Sequence, residues 1–271
     1  MSAHAHAHAH PASPPSQARA LRHRKSVENL STAQLKALRD SYAAAEALTD
    51  DRGFGHWAGI HGLPLPMYCQ HGTRLFLPWH RAYLYFFELA LRDLVPDAVL
   101  AWWDWTSAGS HANGIPAAFA DAQVGNNPNP LYQTTVPPAA RQNNQPQETS
   151  RSPGSPGDLP TRPQVQSVLS LPDFLDFQGQ LEQIHNSVHV WVGGTMGEIP
   201  WAAYDPIFFA HHTMIDRLWR LWQIRHPNPH LPSSLLNQAL PPFPMTVAQT
   251  LDIKGLGYAY AAATAHAVVA H

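Results

Sequence analysis

Two histidines spaced four residues apart, His185 and His189, are the sequence feature that most constrains the fold of this chain. On a helix, residues four apart lie on one face, so both imidazoles can point toward a single centre. Apolar residues share that face and would bury the two rings, and buried imidazoles need polar partners. A metal ion would supply them, and the downstream doublet His211-His212 can provide a third ligand.

A second group of histidines lies upstream and consists of His61, His71 and His80. Each group can therefore offer three imidazoles, with no thiolate or carboxylate among the obvious ligands. Such a donor set suits copper or zinc. Histidine is frequent in this chain, so one pair alone can arise by chance, but four histidine segments in one chain favour two metal sites.

Helical periodicity predicts four amphipathic helices. Ser31 and Gln34 have the spacing of a capping box that opens the first helix. The second follows an apolar stripe that starts at His80, the third carries the His185 pair, and the fourth begins at Asp205-Pro206. We expect a mainly α-helical protein in which a four-helix bundle, with histidines on its inward faces, encloses a dinuclear metal site and long loops connect the helices.

Length and composition indicate one domain. A chain of 271 residues can bury one large core, and we assign this core to residues 21–262. Residues 1–20 are a His-, Ala- and Pro-rich tail, either a tag or a disordered segment, and residues 263–271 are a C-terminal tail. Between Ala120 and Val168 the composition shifts to Pro, Asn, Gln and Ser, which predicts a long surface excursion without a hydrophobic element.

Charge and hydropathy exclude two classes of partner. The net charge of -2 gives no basic surface for nucleic acid, and no apolar run approaches the roughly 20 residues of a membrane helix. The N-terminus lacks the apolar stretch of a secretion signal, so we expect a cytoplasmic protein, with a secreted mature form as the alternative. Small molecules are the expected ligands, and the chain is expected to be a monomer or a homodimer.

The segments around the histidines resemble the type 3 copper family of tyrosinases, catechol oxidases and hemocyanins, and in particular the bacterial and fungal tyrosinases. The resemblance extends from Arg24 to Tyr260. The motifs that carry it are Gly59-Ile-His-Gly-Leu-Pro64, Cys69-Gln-His71, Phe76-Leu-Pro-Trp-His-Arg81, Trp103-Asp-Trp105, His185-Asn-Ser-Val-His189 with Trp191-Val-Gly-Gly194, and Asp205-Pro-Ile-Phe208 before His211-His212.

This resemblance implies two copper ions, with O2 as co-substrate. It implies six ligands, three for each ion, namely His61, His71 and His80 for copper A and His185, His189 and His212 for copper B. From the residues alone two choices stay open. His56 competes with His61 as the first ligand, although the family motif favours His61. The helical stripe does not separate His211 from His212, and the family pattern places the copper bond on His212.

Three further features take their meaning from the resemblance. Cys69 is the only cysteine, so it cannot form an intramolecular disulfide. The fungal Cys-x-His motif implies a thioether bond from its sulfur to a ring carbon of His71. Arg24 and Tyr258-Ala-Tyr260 resemble the arginine and the Tyr-x-Tyr at the two ends of the catalytic core. Because eleven residues follow Tyr260, we expect no C-terminal lid domain and activity without proteolysis.

The implied activity is that of a tyrosinase, a dicopper phenol oxidase that uses O2 to hydroxylate monophenols at the ortho position and to oxidise o-diphenols to o-quinones. Glu182 and Asn186 share the helical stripe of the copper B pair. The resemblance assigns them as the catalytic residues that hold the water which deprotonates monophenols. Val190 and Ile199 are expected to line the substrate entrance.

Four other functions are compatible with parts of this pattern. A catechol oxidase or an o-aminophenol oxidase would share every copper ligand but would not hydroxylate monophenols. A hemocyanin-like carrier would bind O2 reversibly without turnover. A dizinc hydrolase would usually recruit carboxylate ligands. Small phenols are the expected substrates, and a separate copper-delivery protein is a further expected partner.

Overall fold

The computed structural model describes residues 21–142, 147–227 and 231–261. Within them the chain is mainly helical, as predicted. The helices are α1 Thr32–Glu46, α2 Phe54–His61, α3 Phe76–Leu94, α4 Ala108–Asn113, α5 Ala117–Ala120, α6 Arg162–Leu169, α7 Phe174–Val192, α8 Ile207–Arg225, α9 Ser233–Leu236 and α10 Val247–Thr250. The strands are β1 Arg22–Arg24, β2 Gln123–Val124, β3 Asn127–Pro128, β4 Ala239–Leu240, β5 Phe243–Thr246 and β6 Tyr258–Tyr260. The predicted tails 1–20 and 263–271 lie outside the described residues.

Long helices form the centre of the molecule, and α3 and α8 make its densest contact. The rings of Phe87 on α3 and Phe209 on α8 stack with centroids 4.0 Å apart, and Tyr42 and Phe54 pack edge-on against this pair. Burying an aromatic side chain of this size stabilises a fold by about 1.5–3 kcal/mol. Within the described residues, none of the helices has both the length and the apolar character needed to cross a membrane.

The predicted starts of two helices are confirmed. The Ser31 hydroxyl accepts a hydrogen bond from the Gln34 backbone N–H at 3.2 Å, and the Gln34 side chain accepts one from the Ser31 N–H at 3.0 Å. At α8, Asp205 Oδ1 accepts from the Ile207 N–H at 3.0 Å. The helix therefore starts one residue beyond Pro206, within the usual variation of helix limits.

One member of the predicted bundle was wrong. We expected a histidine on the inward face of each of four helices, the first of which opens at Ser31. The helix that opens there, α1, contains no histidine. The histidine-bearing helix is α2, which ends at His61. Because α2 has eight residues and two glycines, it is too short and too weakly amphipathic for a periodic pattern to predict it.

The predicted surface excursion between Ala120 and Val168 was also wrong in part. Its last residues form α6, which Thr161 opens with a capping box and which buries Val165. Apolar residues earlier in the segment, such as Leu131, are fully buried. Composition averaged over the segment concealed these apolar positions, because Pro, Asn and Ser surround each of them. The segment is thus a covering layer of the core and not a detached loop.

Both ends of the described chain meet in a buried ionic network. Strand β1 pairs with β6 in parallel, with Arg24 opposite Tyr260. Arg24 Nη1 lies 3.3 Å from Asp216 Oδ2, and Arg81 Nε donates to Asp216 Oδ1 at 2.5 Å. The hydroxyls of Tyr258 and Tyr260 also donate to Asp216. Because Arg81 is on α3 and Asp216 on α8, this network fixes the two helices relative to each other.

Candidate metal centre

The structure brings the six predicted ligands together in the core. His61 is the last residue of α2, His71 lies in the following loop, and His80 is in the second turn of α3. The other three are on adjacent helices, with His185 and His189 on α7 and His212 on α8. All except His71 are buried. They form two groups, which we call cluster A (His61, His71, His80) and cluster B (His185, His189, His212).

The three rings of cluster B point their Nε2 atoms at one another. His212 Nε2 lies 3.1 Å from His185 Nε2 and 3.2 Å from His189 Nε2. At the other ring nitrogen, His185 Nδ1 is 3.0 Å from Asn186 Oδ1 and His189 Nδ1 is 2.8 Å from the Met196 carbonyl oxygen. Each of these Nδ1 atoms therefore donates its hydrogen, which leaves a lone pair on Nε2.

Lone pairs that face one another at this distance repel unless a cation lies between them. Nitrogens that bind one ion at about 2.0–2.1 Å are themselves about 3 Å apart. The spacing within cluster B fits that arrangement. Neutral imidazoles are also donors that copper prefers, so the residues present fit a copper ion.

The neighbouring histidine of the doublet, His211, has a different position. It is fully buried, and its ring stacks on that of His185 with centroids 5.1 Å apart. One of its ring nitrogens lies within 4.8 Å of the ligand nitrogens of cluster B, and the ring interacts with the His185 backbone. The close Nε2 contacts belong to His212, so the geometry supports His212 as the third ligand and places His211 behind the ring of His185.

Cluster A is a triangle of rings. The centroids are 5.3 Å apart for His61 and His71, 5.2 Å for His71 and His80, and 5.6 Å for His61 and His80. His80 Nδ1 donates to the Phe76 carbonyl oxygen at 2.8 Å, which leaves Nε2 free to bind an ion. That Nε2 has no hydrogen-bond partner among the described residues, and the His61 ring interacts with the Ile199 backbone, which leaves its other nitrogen without one. Buried polar atoms without a partner are rare, and a metal ion would satisfy them.

The competing residue His56 does not join this cluster. It is exposed on α2 and lines a separate cavity. The structure therefore favours His61 over His56 as the first ligand of copper A.

The two clusters share a boundary. The rings of His80 and His212 stack with centroids 4.5 Å apart and an interplanar angle of 18°. Ligand nitrogens of His61, His80 and His212 lie within 4.8 Å of one another. Two ions held by these clusters would be neighbours, as in other two-metal sites.

Burial also sets the protonation of these histidines. Loss of solvation lowers the pKa of all six, because the charged imidazolium is disfavoured away from water. The pKa falls to about 4 for His71 and to about 4 for His189. The rings are therefore neutral at pH 7, which is the form that binds a metal ion.

Cys69 lies at the edge of cluster A. Its Sγ is within 4.8 Å of ligand nitrogens of His61 and His71. The side chain is half-buried, and loss of solvation raises the pKa of the thiol to about 11. The sulfur is thus close to the predicted partner ring, and the thioether bond to His71 remains a prediction.

Glu182 connects the two clusters. It lies on α7, one turn before His185, and is nearly buried. Its Oε1 accepts a hydrogen bond at 2.6 Å from the N–H of Gly72, the residue that follows His71 in the chain. Burial raises the pKa of this carboxyl above its ordinary value. Asn186, in contrast, is exposed and turns its amide oxygen to His185 Nδ1.

The two predicted entrance residues are on the surface near the clusters. Val190 follows His189 and is 74% exposed, and Ile199 is 50% exposed. The backbone at 199–200 packs against the end of α2, where the Leu63 N–H donates to the Pro200 carbonyl oxygen at 3.0 Å. A Cβ on Gly62 would lie 2.1 Å from that oxygen, so glycine is required for the contact.

Sequence reasoning missed the backbone groups that orient the rings. The Phe76 and Met196 carbonyls accept from His80 and His189, but a carbonyl has no signature in the sequence. One signal was present for Met196. Gly194 has φ of +54°, and a Cβ there would lie 2.1 Å from the Ser150 carbonyl oxygen. This tight turn after α7 brings the chain back to His189.

Comparison with known proteins agrees with this geometry. The family model described as the common central domain of tyrosinase matches residues 51–225. Units G and H of hemocyanin from Sepia officinalis are 32% identical over 228 residues, covering 79% of this chain and 40% of that protein. A tyrosinase from Streptomyces lincolnensis is 35% identical over 183 residues, covering 59% of this chain and 66% of that protein.

A solved structure of tyrosinase from Burkholderia thailandensis superposes with a TM-score of 0.81 at 24% identity, over 92% of this chain and 75% of that chain. This similarity concerns the fold. The chain spans well under half the length of the Sepia hemocyanin that it matches. The match over residues 51–225 contains all six histidines of the two clusters, and the chain therefore belongs to the tyrosinase family of type 3 copper proteins.

Proposed function

We propose that this protein is a phenol oxidase that hydroxylates monophenols at the ortho position and oxidises o-diphenols to o-quinones with O2. Clusters A and B would hold one copper ion each. When bound, the copper pair supplies the redox chemistry between O2 and the phenol. Each o-diphenol that becomes a quinone gives up two electrons and two protons, and two diphenols together reduce one O2 to two waters.

The position of Glu182 is the observation that supports hydroxylation. A phenol has a pKa near 10, so at neutral pH only about one molecule in a thousand is ionised. A base beside the centre is therefore needed. Oε1 of Glu182 accepts a hydrogen bond from the Gly72 N–H. The second carboxylate oxygen, Oε2, takes no part in that bond. The carboxylate is thus fixed between the loop of cluster A and the helix of cluster B, where its second oxygen can accept a proton directly or through a water.

The environment of Glu182 suits this role. Because burial raises its pKa above the ordinary value, the carboxylate is a stronger base than a glutamate in water. Asn186 contributes differently. Its amide oxygen accepts from His185 Nδ1, which fixes the ring, and its amide N–H groups can hold a water near the carboxylate.

The surface around the clusters suits a phenol. Val190 and Ile199 present apolar side chains to solvent beside His189 and His61, and an aromatic ring can pack on them. We infer that these two residues contact the substrate ring as it enters.

One specific observation favours a second candidate. The Sepia hemocyanin matches 79% of this chain at 32% identity, so a reversible O2 carrier is the alternative. A carrier would bind O2 without consuming it when a phenol is added. A catechol oxidase would consume O2 with o-diphenols only.

Oxygen uptake by the copper-loaded protein separates these functions. We expect uptake with tyrosine and faster uptake with a catechol, each accompanied by the colour of the quinone. Uptake with the catechol alone would reduce the proposal to a catechol oxidase. No uptake with either, at full copper content, would contradict enzymatic function.

Variants of α7 test the role of Glu182 directly. We expect Glu182→Gln or Asn186→Leu to lower monophenol turnover at least about tenfold, since general-base assistance is worth about 10²- to 10⁴-fold. Turnover of o-diphenols should change only a few-fold. Asp176→Asn, an isosteric change on the exposed face of the same helix, is the matched control. A parallel loss of both activities with copper retained would show that the pair only supports the site.

A further inference from the structure

A cavity of about 740 Å³ lies beside α2. Its volume is within the range of about 300–1,000 Å³ that small-molecule sites occupy. None of the six predicted copper ligands lines it, nor do Glu182, Asn186, Val190 or Ile199. The function proposed above does not use this space.

The walls of the cavity are mainly apolar. Phe54 and Ile60 of α2 contribute one side, and Pro64, Pro137 and Tyr204 contribute others. Phe54 and Tyr204 are only 2% and 0% exposed, so their rings lie behind the wall, and Ile60, Pro64 and Pro137 present the apolar surface that a ligand can contact. Such walls can take an aromatic ring or a branched hydrocarbon.

Carboxylates surround one part of the cavity. Glu46, Asp50 and Asp51 line it, with His56 nearby, and no lysine or arginine is among its described lining residues. Asp50 is occupied by an exposed ion pair with Arg52, at 2.5 Å. Glu46 is exposed at the mouth and forms no ion pair within the described part of the chain, and partial desolvation raises the pKa of its carboxyl to about 8, so this group is largely protonated at pH 7 when the cavity is empty. A cation beside Glu46 would favour the charged carboxylate, so binding of the cation would release a proton from Glu46.

The spacing of these carboxylates distinguishes an organic cation from a metal ion. Groups of three potential ligands within 4.8 Å of one another occur only among the histidines and Cys69 in the described residues. The three acidic residues are therefore too far apart to bind one small ion together. An ammonium group attached to an apolar body matches both the charge of the mouth and the character of the walls.

We propose that this cavity is a second small-molecule site that binds an arylalkylamine. The ammonium group lies at Glu46 and Asp51, and the ring lies against Ile60 and Pro137. An arylalkyl carboxylate of the same size is rejected, because its charge would be placed against the acidic mouth.

Isothermal titration calorimetry on the copper-loaded full chain tests this site with 2-phenylethylamine as the probe. This amine has no phenolic hydroxyl, so the phenol oxidation proposed above cannot consume it. We expect saturable binding of the amine and none of 3-phenylpropionate. Equal binding of the two probes, or no binding of the amine, would overturn the proposal.

Substitutions locate the bound amine. Glu46→Gln and Asp51→Asn should each weaken binding about fivefold or more, as expected for loss of a partly desolvated charge partner. Ala139→Trp should abolish binding, since Ala139 is exposed at the cavity wall and an indole there fills the space. Asp93→Asn, which removes an exposed carboxylate elsewhere, is the matched control and should bind like the parent chain.

Two results would contradict this location. One is unchanged affinity in both Glu46→Gln and Ala139→Trp. The other is displacement of the amine by benzoate, an anionic aromatic acid that an acidic cavity is not expected to bind. Failure of phenol oxidation would leave the binding experiment intact, so the two proposals are tested separately.

Discussion

Asp216→Asn is expected to destabilise the fold strongly, because it removes the charge at the centre of the buried ionic network. Asp216 is almost fully buried between two guanidinium groups, those of Arg81 and Arg24. The tyrosine hydroxyls of β6 donate to the same carboxylate. An asparagine keeps the shape but removes the charge, and it turns an N–H group toward donors that need an acceptor.

The expected magnitude follows from burial. Removing one partner of a buried ion pair costs about 3–5 kcal/mol, because the remaining charges stay in the core without compensation. For a domain of this size, each kcal/mol lowers Tm by about 2–4 °C. We therefore expect Asp216→Asn to lower Tm by about 6–20 °C. Since Asp216 and Arg81 connect α8 and α3, copper affinity should fall as well.

Thermal unfolding of the two proteins, followed by circular dichroism, measures this effect. Asp97→Asn is the matched control, because Asp97 forms an exposed pair with Arg22 at 3.8 Å and such pairs contribute about 0–1 kcal/mol. If Asp216→Asn lowers Tm no more than Asp97→Asn does, the network does not stabilise the fold as argued.

The same substitution predicts a pH dependence. Burial alone would raise the pKa of Asp216, but Arg81 and Arg24 outweigh burial and hold it below its ordinary value. The unfolded carboxyl has a pKa of about 3.9. The stabilising contribution is therefore complete above that value and is lost as the pH falls further, through the folded pKa. The Tm values of the parent chain and Asp216→Asn should converge below about pH 4, and a constant difference would contradict this assignment.

Three further substitutions and measurements test individual residues. His61→Ala should reduce bound copper from two ions to one per chain by metal analysis, whereas His56→Ala should leave two; the reverse would overturn the ligand assignment. If Cys69 is bonded to His71, the copper-matured chain should be two hydrogens lighter by mass spectrometry and should resist thiol alkylation when unfolded, whereas an alkylated Cys69 would exclude the bond. Thr161→Ala should lower the free energy of unfolding by about 1 kcal/mol in denaturant titration, as loss of a helix cap does; no change would mean that α6 does not depend on its cap.

The histidine clusters were predictable from the sequence because helical spacing carries the information. His185 and His189 are four residues apart on α7, so one periodicity rule places their rings together. His71 is in an irregular loop, where no periodicity applies. Its closeness in sequence to His61 and His80 suggested it as a ligand, and the family motif supported that choice. The choice between His211 and His212 depends on which ring reaches the other two, and that is a property of helix packing that sequence spacing does not contain.

The errors in the fold have a common physical cause. Periodic patterns predict helices long enough to repeat an apolar face, such as α7 and α8, but α2 and α6 have eight residues each. In a short helix one or two contacts with the rest of the molecule decide the structure. His61 is positioned by such a contact, where Gly62 lies against the Pro200 carbonyl. Tertiary contacts of this kind become visible only when distant parts of the chain are placed together.

Membership in the family does not decide between oxidation and oxygen transport, because its relatives include both tyrosinases and hemocyanins. The six imidazoles are not expected to discriminate, since either activity needs a copper pair. Glu182 tests the narrower question of monophenol hydroxylation, because its two oxygens have different surroundings. If Glu182 only connects the loop of cluster A to α7, the hydrogen bond from the Gly72 N–H accounts for its whole role. In that case Glu182→Gln, whose amide oxygen can still accept this bond, would leave both activities intact. A selective loss of monophenol hydroxylation can arise only if the charge of the carboxylate is used, and the comparison of Glu182→Gln on the two substrates therefore separates a structural contact from a base.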